Sequence, residues 1–356
     1  MSALSVSDLV VRYGSVQAVD HVSFEVGEGE FISLLGPSGC GKTTTLRCIA
    51  GLEAAAGGRI RIGCDVVVRD GYETPPEKRG VNMVFQSYAV WPHMTVFDNV
   101  AYGLRTRGAA KAEVARRVGE SLRLVGLEGF AERYGTELSG GQQQRVAVAR
   151  AITTEPRLLL FDEPLSNLDA GLRERMRFEL LALQRRLGRT SIYVTHDQAE
   201  AMVMSDRIIL MNGGRIVQED DPRTLYERPA SRFAAGFVGN ANLLDGNVVG
   251  EHGGGAFTVR LQGGLELRGH ASVPDWRPPA NGAALVCIRP EHVEVAPDGF
   301  RSVLEQVSYL GAVQNCELRV GELVLRADLP SRPRLMPGAE MSLRIDPDCV
   351  VLVPED

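Results

Sequence analysis

Residues 36–43 read Gly36-Pro37-Ser38-Gly39-Cys40-Gly41-Lys42-Thr43, and this stretch decides the fold because it fits the phosphate-loop pattern G-x-x-x-x-G-K-[ST]. The apolar run Phe31–Leu35 precedes it as a buried strand, and Thr43–Ala50 follows it as a helix. Glycines let successive backbone N–H groups face one anion, and the helix N-terminus adds positive charge. We expect Lys42 to reach the β- and γ-phosphates and Thr43 to offer its hydroxyl to Mg²⁺. A chance glycine turn is the alternative, and the flanking strand and helix argue against it.

Two adjacent acids, Asp162 and Glu163, end the apolar strand Leu158–Phe161. Carboxylates at the end of a buried strand are costly unless they meet cations. We therefore expect Asp162 to hold Mg²⁺ through its water shell and Glu163 to polarise the water that attacks the γ-phosphate. A strand that simply enters solvent is the alternative, and a neighbouring phosphate loop makes it the weaker one.

Two more apolar strands end in polar side chains, Gln86 after Val84-Phe85 and His196 after Tyr193-Val194-Thr195. Open α/β sheets bind ligands where the carboxyl ends of their strands converge. We expect Gln86 to coordinate Mg²⁺ and sense the γ-phosphate, and His196 to donate a hydrogen bond to the γ-phosphate. For either residue the alternative is a structural side chain whose hydrogen bond is satisfied locally.

The order of the expected elements predicts an α/β domain followed by an all-β one. Strands and helices alternate up to about residue 239 and indicate a largely parallel sheet, with a helical insert at about 87–150. Beyond residue 240, Gly and Pro are frequent and short β-type runs dominate, as in a small barrel. The predicted domains are therefore 1–239 and 240–356.

Composition narrows the classes of function and the setting. The 356 residues include 39 basic and 45 acidic side chains, so no global positive field attracts nucleic acid, and we expect no such partner. The apolar stretches fall far below the ~18 residues of a membrane span, and the N-terminus lacks a signal-peptide pattern. The six cysteines are scattered, which favours a reducing, cytoplasmic setting.

A second glycine motif, Leu138-Ser139-Gly140-Gly141-Gln142-Gln143-Gln144-Arg145, completes a recognisable set. Together with the phosphate loop, Asp162-Glu163, Ser166-Asn167-Leu168-Asp169 and His196, it resembles the ATPase subunits of ABC transporters over residues 3 to about 239. The resemblance implies a P-loop NTPase core with antiparallel β and helical subdomains. The C-terminal part resembles the accessory OB-like barrel, or TOBE-like domain, of bacterial solute importers.

The same resemblance implies how ATP and Mg²⁺ are bound. Ser139-Gly140-Gly141 opens a helix and is therefore a second anion cradle. In this family each ATP is held between the phosphate loop of one subunit and the signature segment of the other, in a head-to-tail homodimer. Asp169 would report across the dimer, and Tyr13 would stack on adenine unless it packs in the core. The implied ATP contacts are Tyr13, Gly36, Pro37, Ser38, Gly39, Cys40, Gly41, Lys42, Thr43 and Thr44 in one subunit and Ser139, Gly140, Gly141 and Gln142 in the other.

Partners and location also follow from the resemblance. Two transmembrane permease subunits would dock on Gln86–Val96, with Tyr88, Trp91 and Met94 exposed, unless these side chains only pack the insert. The protein would work peripherally at the cytoplasmic face of the cell membrane and would receive solute indirectly from an extracytoplasmic binding protein.

The sequence is compatible with several solutes and with several competing functions. The junction Phe237–Gly246 looks like that of polyamine, ferric iron and phosphonate importers, and a sugar-importer ATPase is the alternative. A soluble ABC-type ATPase acting on nucleic acid or ribosomes is a second alternative, although such proteins usually carry two ATPase cores. A third is a C-terminal part that senses a regulatory ligand.

Overall fold

The computed structural model describes residues 2–274, 276–280 and 282–355, and it divides into two compact units at Pro222 and Arg223. Each unit builds its own sheets and hydrophobic core. The predicted border at residue 240 lies beyond this division and stays a prediction of where the ATPase domain ends. Within the described residues, no helix combines the length and the hydropathy needed to cross a membrane.

The first unit contains eleven strands and six helices among its described residues. In chain order they are β1 Ser2–Tyr13, β2 Val16–Gly27, β3 Phe31–Leu35, α1 Lys42–Ala50, β4 Gly57–Ile62, β5 Asp65–Arg69, β6 Tyr72–Glu73, β7 Val81–Val84, α2 Val96–Thr106, α3 Lys111–Leu124, α4 Gly140–Thr153, β8 Leu158–Asp162, α5 Ala170–Leu187, β9 Ser191–Thr195, α6 Gln198–Met204, β10 Arg207–Asn212 and β11 Arg215–Asp220.

The central sheet has the strand order β11-β10-β3-β9-β8-β7, and all its neighbours are parallel except β11. Every residue of β3, β8 and β9 is buried, as expected for parallel strands covered on both faces. Leu35 pairs with Thr195, and Phe161 pairs with both Tyr193 and Val84. The carboxyl ends of four strands therefore meet at one edge of the sheet, which is where the sequence predicts the site.

Two further layers flank this sheet. A five-stranded antiparallel sheet, β2-β1-β4-β5-β6, shares a core with α1 and one face of the central sheet. The helical insert α2–α4 shares a second core with α5 and the other face. The side chains of Thr95 and Ser139 accept hydrogen bonds from backbone N–H groups in the first turns of α2 and α4, which fixes where both helices begin.

The second unit is almost entirely β-structure. Five of its strands close a barrel in the order β12-β13-β14-β20-β15, and four form a separate sheet, β18-β17-β16-β19, that shares one apolar core with the barrel. Its elements are α7 Pro222–Glu227, which begins at the division, α8 Arg232–Phe237, β12 Asn242–His252, β13 Ala256–Leu261, β14 Glu266–Ala271, β15 Ala283–Ile288, β16 Val293–Tyr309, β17 Val313–Val320, β18 Leu323–Pro330, β19 Glu340–Ile345 and β20 Val350–Val353.

Candidate active site

The phosphate loop connects β3 to α1 and requires glycine at two positions for a reason beyond backbone curvature. A Cβ at Gly36 would lie 2.2 Å from the backbone oxygen of Met211, and one at Gly41 would lie 2.5 Å from that of Ala18. Both glycines also have positive φ, 155° and 101°. Neighbouring backbone segments of the same polypeptide therefore hold the loop in shape, and they leave no room for a side chain at Gly36 or Gly41.

Lys42 lies within this loop and bonds to its carbonyl groups. Its Nζ donates to the backbone oxygens of Gly36 and Pro37, each at 2.8 Å, and the side chain is 5% exposed. The buried thiol of Cys40 lies 3.7 Å from the same nitrogen, and burial raises its pKa. The ammonium group is thus centred in the cradle that the sequence assigns to phosphate. Ser38 and Gly39 are exposed at the tip of the loop, and Thr44 is half-buried in the first turn of α1.

Thr43 and Asp162 form the predicted metal-binding pair. The Thr43 hydroxyl donates to Oδ1 of Asp162 at 2.8 Å, and Arg47 Nη2 lies 3.7 Å from Oδ2. Asp162 is 4% exposed, and burial raises the pKa of its carboxyl group despite these neighbours. A buried carboxylate that is incompletely compensated, beside a hydroxyl oxygen, is an all-oxygen donor set of the kind that Mg²⁺ prefers.

Glu163 and His196 come together from adjacent strands. His196 Nδ1 lies 3.0 Å from Oε2 of Glu163, and the Glu163 backbone N–H donates to Val194 at 3.0 Å. Glu163 adopts a left-handed φ of 46°, a conformation that costs a non-glycine residue about 1–3 kcal/mol. Such strained conformations concentrate at functional sites. Here the conformation places the Glu163 carboxylate beside His196, at the end of β9.

Gln86 joins this group through Ser166. The Gln86 amide donates to Ser166 Oγ at 3.2 Å, and that hydroxyl donates to the Glu163 backbone oxygen at 2.9 Å. Asn167 donates in turn to the Gln86 backbone oxygen at 2.8 Å. The ends of β7, β8 and β9 are therefore linked by one chain of hydrogen bonds, and the exposed Gln86 amide remains within reach of a ligand.

A buried carboxylate that sequence reasoning missed supports this edge. Glu200 is 3% exposed, and its Oε2 accepts hydrogen bonds from Tyr193 at 2.8 Å and Thr195 at 2.7 Å. Burial raises the pKa of Glu200. Thr195 also accepts from the N–H of Asp197 at 3.0 Å, so the network fixes both sides of His196. The only sequence signal was an acid four residues after His196, on the following helix.

The signature segment begins α4 and is reinforced by a capping box. The Ser139 backbone N–H donates to the Gln142 side chain at 2.9 Å, while Ser139 Oγ accepts from the Gln142 N–H. Ser139 and Gly140 are exposed, and no hydrogen bond between described residues joins them to the phosphate loop. Gly140 instead faces the side chain of Leu168, which couples the signature segment to the loop before α5.

Asp169 and Tyr13 both lie at the surface of the first unit. Asp169 caps α5 by accepting a hydrogen bond from the Leu172 N–H at 2.9 Å, and it remains exposed. Tyr13 ends β1 and is 48% exposed, so the alternative that it packs in the core is wrong. An exposed aromatic ring is available for stacking, and its adenine-binding role stays a prediction.

The segment after Gln86 differs from the expectation in one respect. Tyr88 is 5% exposed and belongs to the core of the insert, and Tyr88 and Ala89 both adopt left-handed φ values, 61° and 46°. Arg150 of α4 donates to their backbone oxygens at 2.9 and 2.7 Å, and its guanidinium lies 4.6 Å from the Trp91 ring centroid. Trp91 and Met94 are only half-buried. The expectation of an exposed Tyr88 was therefore wrong.

A glycine cradle with a central lysine, together with a carboxylate pair at the end of β8, defines a phosphate-loop nucleotide hydrolase. Comparison with known families sharpens this class. Residues 19–166 match the model of the ABC transporter family, and residues 286–353 match that of the TOBE domain.

Three individual relatives support the same family assignment. The chain is 47% identical to the spermidine/putrescine import ATP-binding protein of Rubrobacter xylanophilus, covering 98% of this chain and 93% of the relative. It is 43% identical to the sn-glycerol-3-phosphate import ATP-binding protein of Ruegeria, covering 98% and 96%. It is 45% identical to the Fe(3+) ions import ATP-binding protein of Rhizobium etli, covering 96% and 95%.

Two solved structures share the ATPase fold. CbiO1 of Clostridium perfringens, part of the ABC transporter complex CbiONQ, matches at a TM-score of 0.57 and 27% identity, over 62% of this chain and 89% of that one. A dimeric ATP-binding cassette in a post-hydrolysis state with ADP and Pi matches at 0.54 and 32%, over 62% and 99%.

The chain therefore belongs to the family of import ATP-binding subunits of ABC transporters, and it binds and hydrolyses ATP to drive import. The predicted fold class, the TOBE domain and the family are confirmed. The three relatives carry names for three different solutes, so the predicted solute class stays a prediction.

Proposed function

We propose that two copies of this chain close head to tail on two ATP molecules at the cytoplasmic face of the membrane and thereby drive two permease subunits. An extracytoplasmic solute-binding protein would deliver the solute. The observation that carries the proposal is the second anion cradle: Ser139 and Gly140 are exposed at the start of a 14-residue helix. The dimeric state of the similar ATP-binding cassette with bound ADP and Pi supports the pairing of two copies.

In the proposed reaction, Glu163 accepts a proton from the water that attacks the γ-phosphate, and the bond to the departing ADP breaks in line. His196, 3.0 Å from Glu163, would steady the carboxylate and donate to a γ-phosphate oxygen. Lys42 would exchange its two carbonyl partners for phosphate oxygens. The partner subunit's signature segment would bind the γ-phosphate from the opposite side.

Magnesium fits the oxygen donors at this edge. Thr43 and Asp162 would hold it, Asp162 through a water molecule, with Gln86 as the third candidate ligand. When bound, Mg²⁺ neutralises charge on the β- and γ-phosphate oxygens. Burial raises the pKa of Asp162, which fits a buried carboxylate that a cation would stabilise in its charged form.

The central test is Glu163→Gln, which keeps the shape of the side chain but removes the base. ATP affinity should be retained, while turnover should fall by about 10²–10⁴-fold, the scale of general-base catalysis. Because the ATP-bound dimer would then persist, ATP should shift the variant from monomer to dimer in sedimentation. Glu174→Gln, an exposed carboxylate on α5, is the matched control. Normal turnover in Glu163→Gln would show that Glu163 is not the base.

The permease contact is proposed for the exposed part of residues 89–95. Pro92 and His93 are exposed at its tip, and Asn99 holds its backbone through hydrogen bonds with Trp91 and Met94. A fixed backbone with an exposed tip suits insertion between helices of a partner. His93→Glu should reduce co-purification with the permease, while ATP binding stays unchanged. Equal recovery of the permease would refute this contact.

A further inference from the structure

Two segments of the first unit carry residues that face each other at the carboxyl edge of the central sheet. Residues 163–169 begin with Glu163 and lead into α5, and residues 195–197 contain His196 and lead into α6. The segments meet where His196 Nδ1 lies 3.0 Å from Oε2 of Glu163. They also meet at a second point, through one arginine of α5.

Arg173 spans the two segments with the two ends of its guanidinium group. Its Nη2 donates to the backbone oxygen of Leu168 at 2.9 Å, and its Nη1 lies 3.8 Å from Oδ2 of Asp197. The side chains of Arg173 and Asp197 are 31% and 25% exposed, so solvent screens this ion pair less than one on the open surface. A planar guanidinium can serve two acceptors in fixed directions, which the ammonium group of a lysine does less well.

The position of Arg173 in α5 is not one that the helix itself favours. Its backbone N–H donates to the oxygen of the N-cap residue Asp169 at 2.8 Å, and the first turn of α5 holds no acidic residue. The helix macrodipole disfavours a cation this close to the N-terminus. An arginine here therefore depends on tertiary partners, and the structure supplies them in Leu168 and Asp197.

Asp197 connects this second contact to His196, the residue before it. Oδ1 of Asp197 accepts a hydrogen bond from the Glu200 N–H at 3.1 Å and so caps α6. The Asp197 N–H donates to the Thr195 hydroxyl at 3.0 Å, which holds the backbone on the other side of His196. Because Oδ2 of Asp197 faces Arg173, the short segment around His196 is joined to residues 163–169.

We propose that Arg173 is a positioning residue for ATP hydrolysis, which ties residues 163–169 to the start of α6 and thereby keeps His196 beside Glu163. In the described part of the chain, no hydrogen bond or ion pair joins Arg173 to the phosphate loop, so nucleotide affinity should not depend on it. Its effect on turnover rests on the proposed function of Glu163 and His196. Its effect on the placement of the His196 ring does not.

Arg173→Met removes the guanidinium group and keeps a long side chain with good helix propensity. The kcat should fall by about tenfold with KM for ATP unchanged, because a misplacement of 1 Å can cost up to about 10²-fold in rate. Arg173→Lys should have an intermediate kcat, since one ammonium group meets the two acceptors less well. Arg175→Met removes an exposed arginine of the same helix and is the matched control, which should keep the parental kcat.

A double-mutant cycle tests whether Arg173 acts through Asp197. Asp197→Asn keeps an oxygen to cap α6 but removes the charge that faces Arg173. If the two residues act together, the double variant Arg173→Met/Asp197→Asn should be no slower than the slower single variant. Losses that multiply would show that the residues act independently, and they would overturn the tie.

The placement of His196 can be followed without any hydrolysis. The ¹³Cε1 resonance of its ring, one of six from the histidines of the chain, is assigned with His196→Gln. Arg173→Met should shift this resonance, and Arg175→Met should not. An unmoved His196 resonance, or a parental kcat in Arg173→Met, would overturn the proposal. Full turnover in Glu163→Gln would instead refute the proposed function, while a shifted His196 resonance would still show that Arg173 places the ring.

Discussion

Replacement of Arg150 by Met should release the segment that follows Gln86. The guanidinium makes two hydrogen bonds, at 2.9 and 2.7 Å, to the backbone oxygens of Tyr88 and Ala89. Hydrogen bonds to charged groups contribute roughly 1.5–3 kcal/mol each, or about 3–6 kcal/mol together. The left-handed backbone at these two residues costs roughly 1–2 kcal/mol per residue. The clamp therefore exceeds the strain by only a small margin, and its loss should open the segment.

Amide hydrogen exchange measures this opening directly. A loss of about 3 kcal/mol corresponds to exchange that is roughly 100-fold faster over residues 88–94. Met suits the substitution because it is unbranched and keeps the helix propensity of α4. Arg116→Met on α3 removes an exposed arginine from the same insert and should leave these amides unaffected.

A second substitution separates the clamp from general damage to the fold. Ala89→Gly relieves the left-handed strain at that residue and should recover about 1 kcal/mol, or roughly fivefold in exchange, in the Arg150→Met background. Unchanged exchange over residues 88–94 in Arg150→Met would refute the clamp. Faster exchange spread evenly over α2 to α4 would also refute it, because the arginine would then serve the insert as a whole.

The remaining predictions concern the nucleotide site. Lys42→Ala should lose nucleotide affinity, and unchanged ATP binding in calorimetry would contradict its assigned role. Gly141→Ala should lose ATP-driven dimerisation but keep the melting temperature of the parent, because the new Cβ meets neighbours only at 3.5 Å or more. Gly36→Ala should instead unfold at a lower temperature, because its Cβ would lie 2.2 Å from a backbone oxygen. Burial raises the pKa of Glu200, so its neutral form favours the fold, and the native protein should lose stability relative to Glu200→Gln as the pH rises above the ordinary pKa of a glutamate carboxyl group. A stability difference in urea denaturation that does not vary with pH would contradict this.

The sequence predicted the central sheet well because its strands are short, apolar and followed by unusual polar residues. The bounds of β3 agree with the prediction, and Asp162, Glu163 and His196 end their strands as expected. The sheet register then brings Thr43 to Asp162 and Glu163 to His196. Local patterns sufficed here because parallel strands align their carboxyl ends by construction.

Pairing between different elements explains what the sequence did not predict. Tyr88 is a large aromatic residue of the kind that often contacts a partner. Its ring lies in the core instead, and Arg150, 62 residues away, donates a hydrogen bond to its backbone oxygen. Glu200 gave no sign of its two hydroxyl partners, because Tyr193 and Thr195 belong to another element. The separate four-stranded sheet of the second unit was likewise hidden, since β-type runs do not state which strands they pair with.

Helix α4 carries the signature segment at one end and Arg150 near the other, about 16 Å apart at 1.5 Å per residue. A helix of this length is stiff, so a displacement of Ser139 would be passed along α4 to Arg150 and to its hydrogen bond with Ala89. In the proposed head-to-tail pair, Ser139 touches the nucleotide held by the opposite copy. Each permease subunit would thus respond to the ATP bound by the ATPase copy that it does not contact. This arrangement would couple the two ATP sites.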